Sequence, residues 1–371
     1  MINIEQFLGL KKGNRIFGLD LLRSIAIILV LFAHGDFILR QNLHNFKGII
    51  KLDGVDLFFV LSGFLIGGIL IKKLNENKTF NILEFWKNRW LRTLPNYFLI
   101  LIVLLCYHYY HLNGSFTFDY RYLFFTQNLV TPNPSFFPES WSLSVEEWFY
   151  LVFPICVGLF LFLTKNKKNA LLSAILLLFV FSMSYKIYKS FQFEVCYSNY
   201  DMYFRKIVFA RLDSLSIGVL AAYILAYYPN VFYSKIKLKL ILGLCLIIST
   251  TILPLNVFFL VFNTIVLSFG VFFCLPALML LKNYPNYIGS IVLYISAISY
   301  SLYLIHFSIV LWIIVGVTNQ YSYFDVTFDY LSYFLISIIL STINYKFFEI
   351  YFLNLRNRKI NFFKRLNNKL Q

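Results

Sequence analysis

Apolar segments of about 20 residues recur from one end of this chain to the other. An α-helix of about 20 apolar residues crosses the hydrocarbon core of a bilayer, which is about 30 Å thick. Of the 371 residues, 59% are hydrophobic and 13% are charged, whereas a soluble domain contains about 25% charged residues. A water-soluble fold could not bury this much apolar surface. The pattern therefore predicts an all-α, multi-pass membrane protein.

The hydrophobic pattern predicts about ten transmembrane helices within one domain that covers residues 1–371, with no fused soluble domain. They are expected at about residues 16–38, 52–72, 94–112, 145–164, 170–189, 206–227, 238–253, 256–281, 291–316 and 329–353. The second segment contains four glycines and is a candidate for a broken or re-entrant helix that lines a cavity. Residues 79–91 are predicted to form an amphipathic helix on the inner membrane surface.

The formal net charge is +16, which in a soluble protein would suggest a nucleic-acid partner. Here the basic residues lie between the hydrophobic segments and mostly on alternate connections. With a cytoplasmic N-terminus, the inner connections carry Lys11, Lys12, Arg15, Lys72, Lys73, Lys78, Lys165, Lys167, Lys168 and the tail from Arg356 to Lys369. The positive-inside rule then places both termini in the cytoplasm. The distribution of positive charge thus indicates how the chain is oriented in the lipid of the inner (cytoplasmic) membrane. Because this orientation accounts for the charge, we expect no nucleic-acid partner.

The five cysteines show no paired short spacing, so neither a disulfide framework nor a metal site is predicted. The N-terminus lacks a short apolar region followed by a cleavage site of small residues. The first apolar segment is therefore expected to be a retained helix.

The first predicted helix carries a polar stripe in the segment GLDLLRSIAIILVLFAH. Arg23 and His34 are eleven residues apart, which places them within about 20° on a helix, and Asp20 lies within about 40° of His34. Neutral imidazole is well suited to remove a proton from a hydroxyl near neutral pH. The alternative is structural, with Asp20 and Arg23 as an ion pair and His34 as a polar contact between helices. The shared face favours a catalytic role for His34.

A second polar cluster, SWSLSVEEWFYLVFP, is predicted at the outer mouth of the fourth helix. Serine followed by glutamate is also typical of a helix N-terminus, where a serine caps the helix and acidic residues occupy the first turn. Glu146 and Glu147 are about 100° apart on a helix. We therefore expect one glutamate to lean to the interface and the other to point toward His34, and both are candidate catalytic residues.

Two further charged pairs lie in predicted helices. Arg89 and Arg92, in FWKNRWLRTLP, share one helical face at the inner mouth and suit the binding of donor phosphates. The positive-inside bias alone is the alternative explanation. Arg211 and Asp213, in RLDSLSIGVLAAY, lie within the sixth span, where a structural ion pair is the favoured interpretation.

These segments, with GVDLFFVLSGFLI and ISYSLYLIH, resemble the membrane acyltransferase-3 family in order and over nearly the whole chain. That family includes bacterial O-acetyltransferases of lipopolysaccharide O-antigen, capsule and other glycans. The resemblance implies that Arg23 and His34 are needed for activity, with His34 as general base, and that Arg89 and Arg92 help to hold the donor. Other characteristic positions are matched by Ser142, Glu146, Glu147, Tyr150, Arg211 and Asp213. Trp148 stands where the family pattern has glutamine.

The resemblance implies an O-acyltransferase that moves an acyl group, most often acetyl from acetyl-CoA, to a hydroxyl of a cell-surface polysaccharide or lipid-linked glycan. Acyl-CoA is expected as co-substrate from the cytoplasm, the acceptor from the other side, and no bound cofactor. Family members often carry a fused extracytoplasmic esterase-like domain, which is not expected here. The alternative function is a transporter of glycans or acylated small molecules, because broken helices and charges inside the membrane are also transporter features.

Overall fold

The computed structural model describes residues 15–42, 52, 54–76, 81–111, 117–194, 196–252, 256–312 and 326–355. Within these ranges the chain forms helices and turns and no strand, which confirms the all-α prediction. The long helices are α1 (Phe17–Asn42), α2 (Gly54–Glu76), α3 (Ile82–His111), α4 (Ser140–Thr164), α5 (Lys167–Ser190), α6 (Val208–Tyr227), α7 (Ile236–Ile252), α8 (Val257–Leu280), α9 (Asn286–Ile305) and α10 (Val326–Asn344).

Nine helices in the described ranges are long and apolar enough to cross a membrane, and α7, with 17 residues, is the shorter tenth. Two helices continue as π-helical turns, α9 through His306–Leu311 and α10 through Tyr345–Glu349. The cytoplasmic side is predicted for Lys11, Lys12, Lys78 and the C-terminal tail, and these residues lie outside the described ranges.

Three predicted helix starts are wrong, and one of them is that of α9, which begins at Asn286 instead of about 291. α3 begins at Ile82 and runs without interruption through Pro95 to His111, so its amphipathic first turns are the beginning of a span rather than a separate surface helix. α4 begins at Ser140, five residues before the predicted start, which places Ser142, Ser144 and both glutamates inside the helix. The N-cap residue is Glu139, so neither serine of the predicted N-terminus caps α4.

The second helix is continuous, and three of its four glycines, Gly54, Gly63 and Gly67, allow neighbouring helices to approach closely. A Cβ atom on Gly63 would lie 2.1 Å from the carbonyl oxygen of Leu215 in α6. A Cβ atom on Gly218 of α6 would lie 2.1 Å from the carbonyl oxygen of Val60. The two backbones touch where neither helix has a side chain, as in other membrane helix pairs with small residues at their interface. The prediction of a broken or re-entrant segment is therefore wrong.

α1 packs against α2 on one side and against α9 and α10 on the other. At its beginning the Gly18 N–H donates to the carbonyl oxygen of Leu281 at the end of α8, 2.9 Å away. Further along, a Cβ atom on Gly35 would lie 2.9 Å from the ring of Tyr330 in α10. The two ends of the bundle are called the Arg15 end and the His34 end below. Arg15 and Glu349, near the two ends of the described chain, both lie at the Arg15 end because they line one cavity.

The connection between α3 and α4 folds into the bundle at the His34 end. Gln127 and Asn128 are fully buried there. The Gln127 amide donates to the hydroxyl of Ser144 at 2.6 Å, and the Asn128 amide donates to the carbonyl oxygens of Trp141 and Lys206 at 3.0 and 2.7 Å. The connection between α3 and α4 thus forms hydrogen bonds with the first turns of α4 and with the segment that precedes α6.

Candidate active site

A central cavity of about 720 Å³ lies between α1, α2, α3, α4 and α9. Apolar side chains such as Phe58 and Leu65 form part of its wall. The polar side chains that line it come from five of the motifs found in the sequence, and they are Arg23, Ser62, Arg89, Arg92, Thr93, Ser142, Glu146, Ser299, Tyr300 and Tyr303. The helices therefore bring polar residues that are far apart in sequence to one cavity.

A second cavity opens at the Arg15 end and contains about 1140 Å³ of open space. Its charged lining residues are Arg15, Asp20, Arg23, Arg92 and Glu349. Arg23, Leu65 and Arg92 line both this end cavity and the central cavity. The two spaces are consequently neighbours that share one wall of three side chains.

Asp20 anchors the beginning of α1 and does so mainly through Arg15. The Arg15 guanidinium donates to the two carboxylate oxygens at 2.7 and 2.8 Å, whereas the Arg23 Nη1 lies 3.3 Å from Oδ1. Ser296 of α9 donates to the same carboxylate at 2.6 Å, and the Tyr284 hydroxyl also donates to it. The expected ion pair of Asp20 and Arg23 is present, but the main cationic partner of Asp20 is Arg15.

Arg89 and Glu146 meet inside the bundle, although the sequence placed them at opposite mouths. Arg89 Nη2 lies 3.2 Å from Glu146 Oε2 and 2.6 Å from the Tyr150 hydroxyl, which itself donates to Glu146 at 2.8 Å. Ser62 of α2 donates to the other Glu146 oxygen at 2.8 Å. Both residues lie two turns inside their helices. The prediction of two separate mouths is therefore wrong for this pair.

Glu147 lies away from the central cavity, in an apolar groove between α3 and α4. The groove is lined by Trp90, Leu94, Phe98, Leu123, Phe124, Phe125, Trp148 and Leu151. Among the described residues, neither Glu146 nor Glu147 forms a hydrogen bond with His34. The expectation that one of them points to His34 is wrong, because α4 begins earlier and its glutamates face Arg89 and the groove.

His34 is bound to a second histidine. Its Nδ1 lies 2.7 Å from Nε2 of His306, the first residue of the π-helical turn after α9. The two rings stack with centroids 4.9 Å apart, and the ring of Phe307 lies 4.6 Å from His34. His306 is fully buried, whereas His34 keeps part of its surface exposed. The predicted base therefore keeps part of its surface accessible and has His306 as a fixed neighbour.

Tyr303 and Ser142 connect the central cavity to the histidine pair. The two hydroxyls are 2.6 Å apart, and the Tyr303 hydroxyl also donates to the Glu139 carbonyl oxygen at 3.0 Å. The Tyr303 ring centroid is 5.7 Å from that of His306. The cavity that contains Arg89 and Glu146 thus ends one side chain away from His306.

Glu139, immediately before α4, is a buried residue of the site that the sequence patterns did not indicate. Its carboxylate accepts the backbone N–H of Ser308 at 3.1 Å and the Ser308 hydroxyl at 2.5 Å. Burial raises the pKa of this carboxyl to about 7, and the hydrogen bonds from Ser308 partly oppose the shift. Its position in FPESW gives no periodic signal. By contrast, Tyr303 and His306 share a helical face in ISYSLYLIH, which could have marked them as a pair.

Arg211 and Asp213 do not pair with each other. Arg211 binds Asp56 of α2, and Asp213 binds Lys186 of α5, which also donates to Thr264 of α8 at 3.1 Å. All four charged side chains are at most 3% exposed. The predicted ion pair is therefore wrong in its partners. The structural interpretation fits two pairs that tie α6 to α2 and α5.

Residues 16–345 match the model of an acyltransferase domain family. O-acetyltransferase OatA of Staphylococcus aureus (strain NCTC 8325 / PS 47) is 26% identical over 368 residues, which is 90% of this chain and 56% of that protein. Peptidoglycan O-acetyltransferase OatA of Listeria monocytogenes is 33% identical over 165 residues, or 40% of this chain and 25% of that protein. The chain thus matches about half or less of the length of these relatives. No solved structure matches it.

The family match covers nearly all of the described helices, from α1 to the end of α10, and includes every residue of the two cavities except Arg15, Glu349 and Leu353. This match confirms the family that the six sequence motifs indicate. The chain belongs to the acyltransferase-3 family and is a multi-pass membrane protein.

Proposed function

We propose that this protein is a membrane O-acetyltransferase that transfers an acetyl group from acetyl-CoA to a carbohydrate hydroxyl. One observation carries the proposal. Two neighbouring polar cavities lead from three arginines at the Arg15 end to the Ser142 and Tyr303 hydroxyls, next to the pair of His34 and His306. Such a path has a place for an anionic donor at one end and for a general base near the other.

The donor is proposed to bind at the Arg15 end, on the cytoplasmic side. Arginine binds phosphate through several N–H donors in a planar arrangement, and Arg15, Arg23 and Arg92 line the end cavity. Arg89 lines the central cavity and not the end cavity, so we assign the donor phosphates to Arg92 and its neighbours and not to Arg89. The arm that carries the thioester would then pass the wall formed by Arg23, Leu65 and Arg92.

The reaction is an exchange of one ester bond for another. The acceptor oxygen bonds to the acetyl carbonyl carbon, the carbon–sulfur bond breaks, and coenzyme A leaves as a thiolate. The proton of the acceptor hydroxyl passes to His34 and then to the departing sulfur, so that no net proton is gained or lost. Tyr303, Ser142 and Arg89 are hydrogen-bond donors in the same space that can stabilise the oxyanion of the tetrahedral intermediate.

A cell-surface glycan is proposed as the acceptor, reached from the His34 end. The relative from Listeria monocytogenes is named a peptidoglycan O-acetyltransferase, and peptidoglycan or its lipid-linked precursor is therefore the first acceptor to test. The family resemblance adds lipopolysaccharide O-antigen and capsule as further acceptors of the same chemistry.

The test compares surface glycans from cells that carry the intact protein with those from cells that carry His34→Ala at equal membrane abundance. Peptidoglycan fragments and other surface glycans are analysed by mass spectrometry before and after mild alkali, which removes esters. A general base contributes about 10² to 10⁴ in rate, so the variant should lose nearly all of the alkali-sensitive acetyl increment. His108→Ala changes a histidine of α3 that lines neither cavity, and it should leave acetylation intact.

Full acetylation in His34→Ala cells would contradict the proposed mechanism. Glycans of unchanged mass but altered amount or location would instead support the transporter alternative. A second assay separates these outcomes, because purified O-acetyltransferase should release free coenzyme A thiol only when acceptor is supplied.

A further inference from the structure

The second histidine, His306, has a hydrogen-bond pattern that fixes where its own proton lies. Its Nδ1 is 2.7 Å from the carbonyl oxygen of Tyr303 and 3.1 Å from that of Leu302. A carbonyl oxygen can only accept a hydrogen bond. The proton of a neutral His306 ring therefore resides on Nδ1, and its Nε2 carries an unshared electron pair.

The position of the proton on His34 follows from its contact with His306. Its Nδ1 lies 2.7 Å from the bare Nε2 of His306, so Nδ1 of His34 must be the donor in this contact. A neutral imidazole has one N–H, and the nitrogen without it is the basic one. We infer that His306 is a positioning residue that fixes the tautomer of His34 and leaves Nε2 of His34 as the base for the acceptor hydroxyl. This inference rests on the proposed function.

The backbone around His306 is held in a way that suits this role. His306 begins a π-helical turn, an irregularity that is frequent at functional sites. Glu139, from the end of the connection between α3 and α4, binds both the N–H and the hydroxyl of Ser308 within that turn. The π-helical turn is thus fixed from outside α9. The His306 ring is in turn fixed by the carbonyl oxygens of the preceding helical turn.

A neutral histidine has an advantage over a carboxylate as the partner of a base inside a membrane. It accepts the Nδ1–H without placing another charge in a low-dielectric interior, where an unpaired charge is costly. When His34 takes up the acceptor proton at Nε2, its Nδ1–H continues to donate to His306, and that bond becomes a stronger, charge-assisted one. The pair therefore serves both protonation states of His34 without rearrangement.

Two variants of similar size test the role of the acceptor atom. In His306→Gln, the side-chain oxygen can accept the Nδ1–H of His34, whereas in His306→Met no comparable acceptor is present. We expect His306→Gln to keep most of the turnover. His306→Met should lower kcat by about 10²-fold with little change in KM, because the substrate contacts remain while the tautomer of the base is no longer fixed. Equal activity of the two variants would overturn the inference.

The tautomer can also be read directly in the intact protein. In ¹⁵N-histidine-labelled protein, protonated and unprotonated ring nitrogens have separate chemical shifts, and the His34 signals are assigned as those missing in His34→Ala. Protonated Nδ1 and unprotonated Nε2 on His34 would support the inference, and the reverse would overturn it. Absence of acetyl transfer by the intact protein would refute the proposed function, while the ¹⁵N spectrum would still report the tautomer.

Discussion

The membrane interior of this protein contains two sets of charged side chains that differ in their surroundings. In the first, Arg211 with Asp56 and Lys186 with Asp213 form closed pairs that are at most 3% exposed. In the second, Arg89 and Glu146 are each 15% exposed and line the central cavity. A charge in a membrane helix is therefore insufficient evidence of a functional site. Whether the charge faces open space is the more informative property.

The difference has a physical basis. A buried ion pair offsets the cost of removing two charges from water only when its geometry is good and its remaining hydrogen bonds are made, so closed pairs mainly fix how helices pack. A pair at the wall of a cavity is partly solvated, and its donors remain available to a ligand that enters. Three substitutions, at Asp213, Glu139 and Glu146, test this difference between closed charges and charges at a cavity.

Breaking a closed pair should lower the stability of the folded protein. Asp213→Ala leaves Lys186 as an uncompensated charge in a fully buried site, which typically costs about 3–5 kcal/mol in the free energy of unfolding. We expect a marked fall in the melting temperature of the purified protein and in its abundance in membranes. The double variant Lys186→Met with Asp213→Leu removes both charges and should recover most of the stability. A stable Asp213→Ala protein would contradict the distinction between the two sets.

Glu139 is intermediate between the two sets, because its carboxyl group is buried but is bound to a serine instead of a cation. Its pKa is raised to about 7, so the folded state holds a proton that the unfolded state releases near its ordinary pKa of 4.5. Stability should therefore be greatest below about pH 4.5, fall as the pH rises to about 7, and then level off, with a total loss of at most about 3 kcal/mol.

The measurement for Glu139 compares melting temperatures of the intact protein and Glu139→Gln across this pH range. The difference between the two proteins isolates the contribution of this group from those of other titrating residues. A difference that stays constant between pH 5 and pH 8 would contradict the raised pKa.

The smallest effect is expected at the cavity wall, and it should appear in activity rather than in stability. Glu146→Gln keeps the size of the side chain but removes the charge that holds Arg89 in place, so Arg89 is a less well positioned donor for the transition state. We expect acetyl transfer to fall by roughly 10-fold or more, with a nearly unchanged melting temperature. Glu147→Gln, in the apolar groove, should lower transfer much less. Equal losses would show that the two glutamates share one role, as their adjacency in sequence suggests.

The sequence was sufficient for the properties that depend on one helix at a time. The apolar periodicity located all ten helices, and the eleven-residue spacing placed Arg23 and His34 on one face of α1. The family followed from six motifs in order, and the match over residues 16–345 confirms it. These features are local, so they are visible without knowing how the helices pack.

Partners across helices could not be predicted in the same way. At 100° per residue, Arg211 and Asp213 are about 200° apart and cannot face each other, yet only the packed bundle shows that Asp56 and Lys186 complete them. Glycines that suggested a broken α2 are instead explained by the backbone of α6, which approaches at Gly63. The pairing of His34 with His306 spans 272 residues. Each of these contacts depends on tertiary structure.

The wall that the two cavities share has a consequence for the electrical insulation of the membrane. A bundle that admits a substrate from each face could leak protons or metal ions and so dissipate the membrane potential. Two of the three wall residues, Arg23 and Arg92, carry positive charge, and an arginine at a constriction is a known barrier to protons and cations in pores. A small cation that moved between the cavities along this wall would meet both guanidinium groups. The arginines proposed to bind an anionic donor would thus also oppose a cation leak.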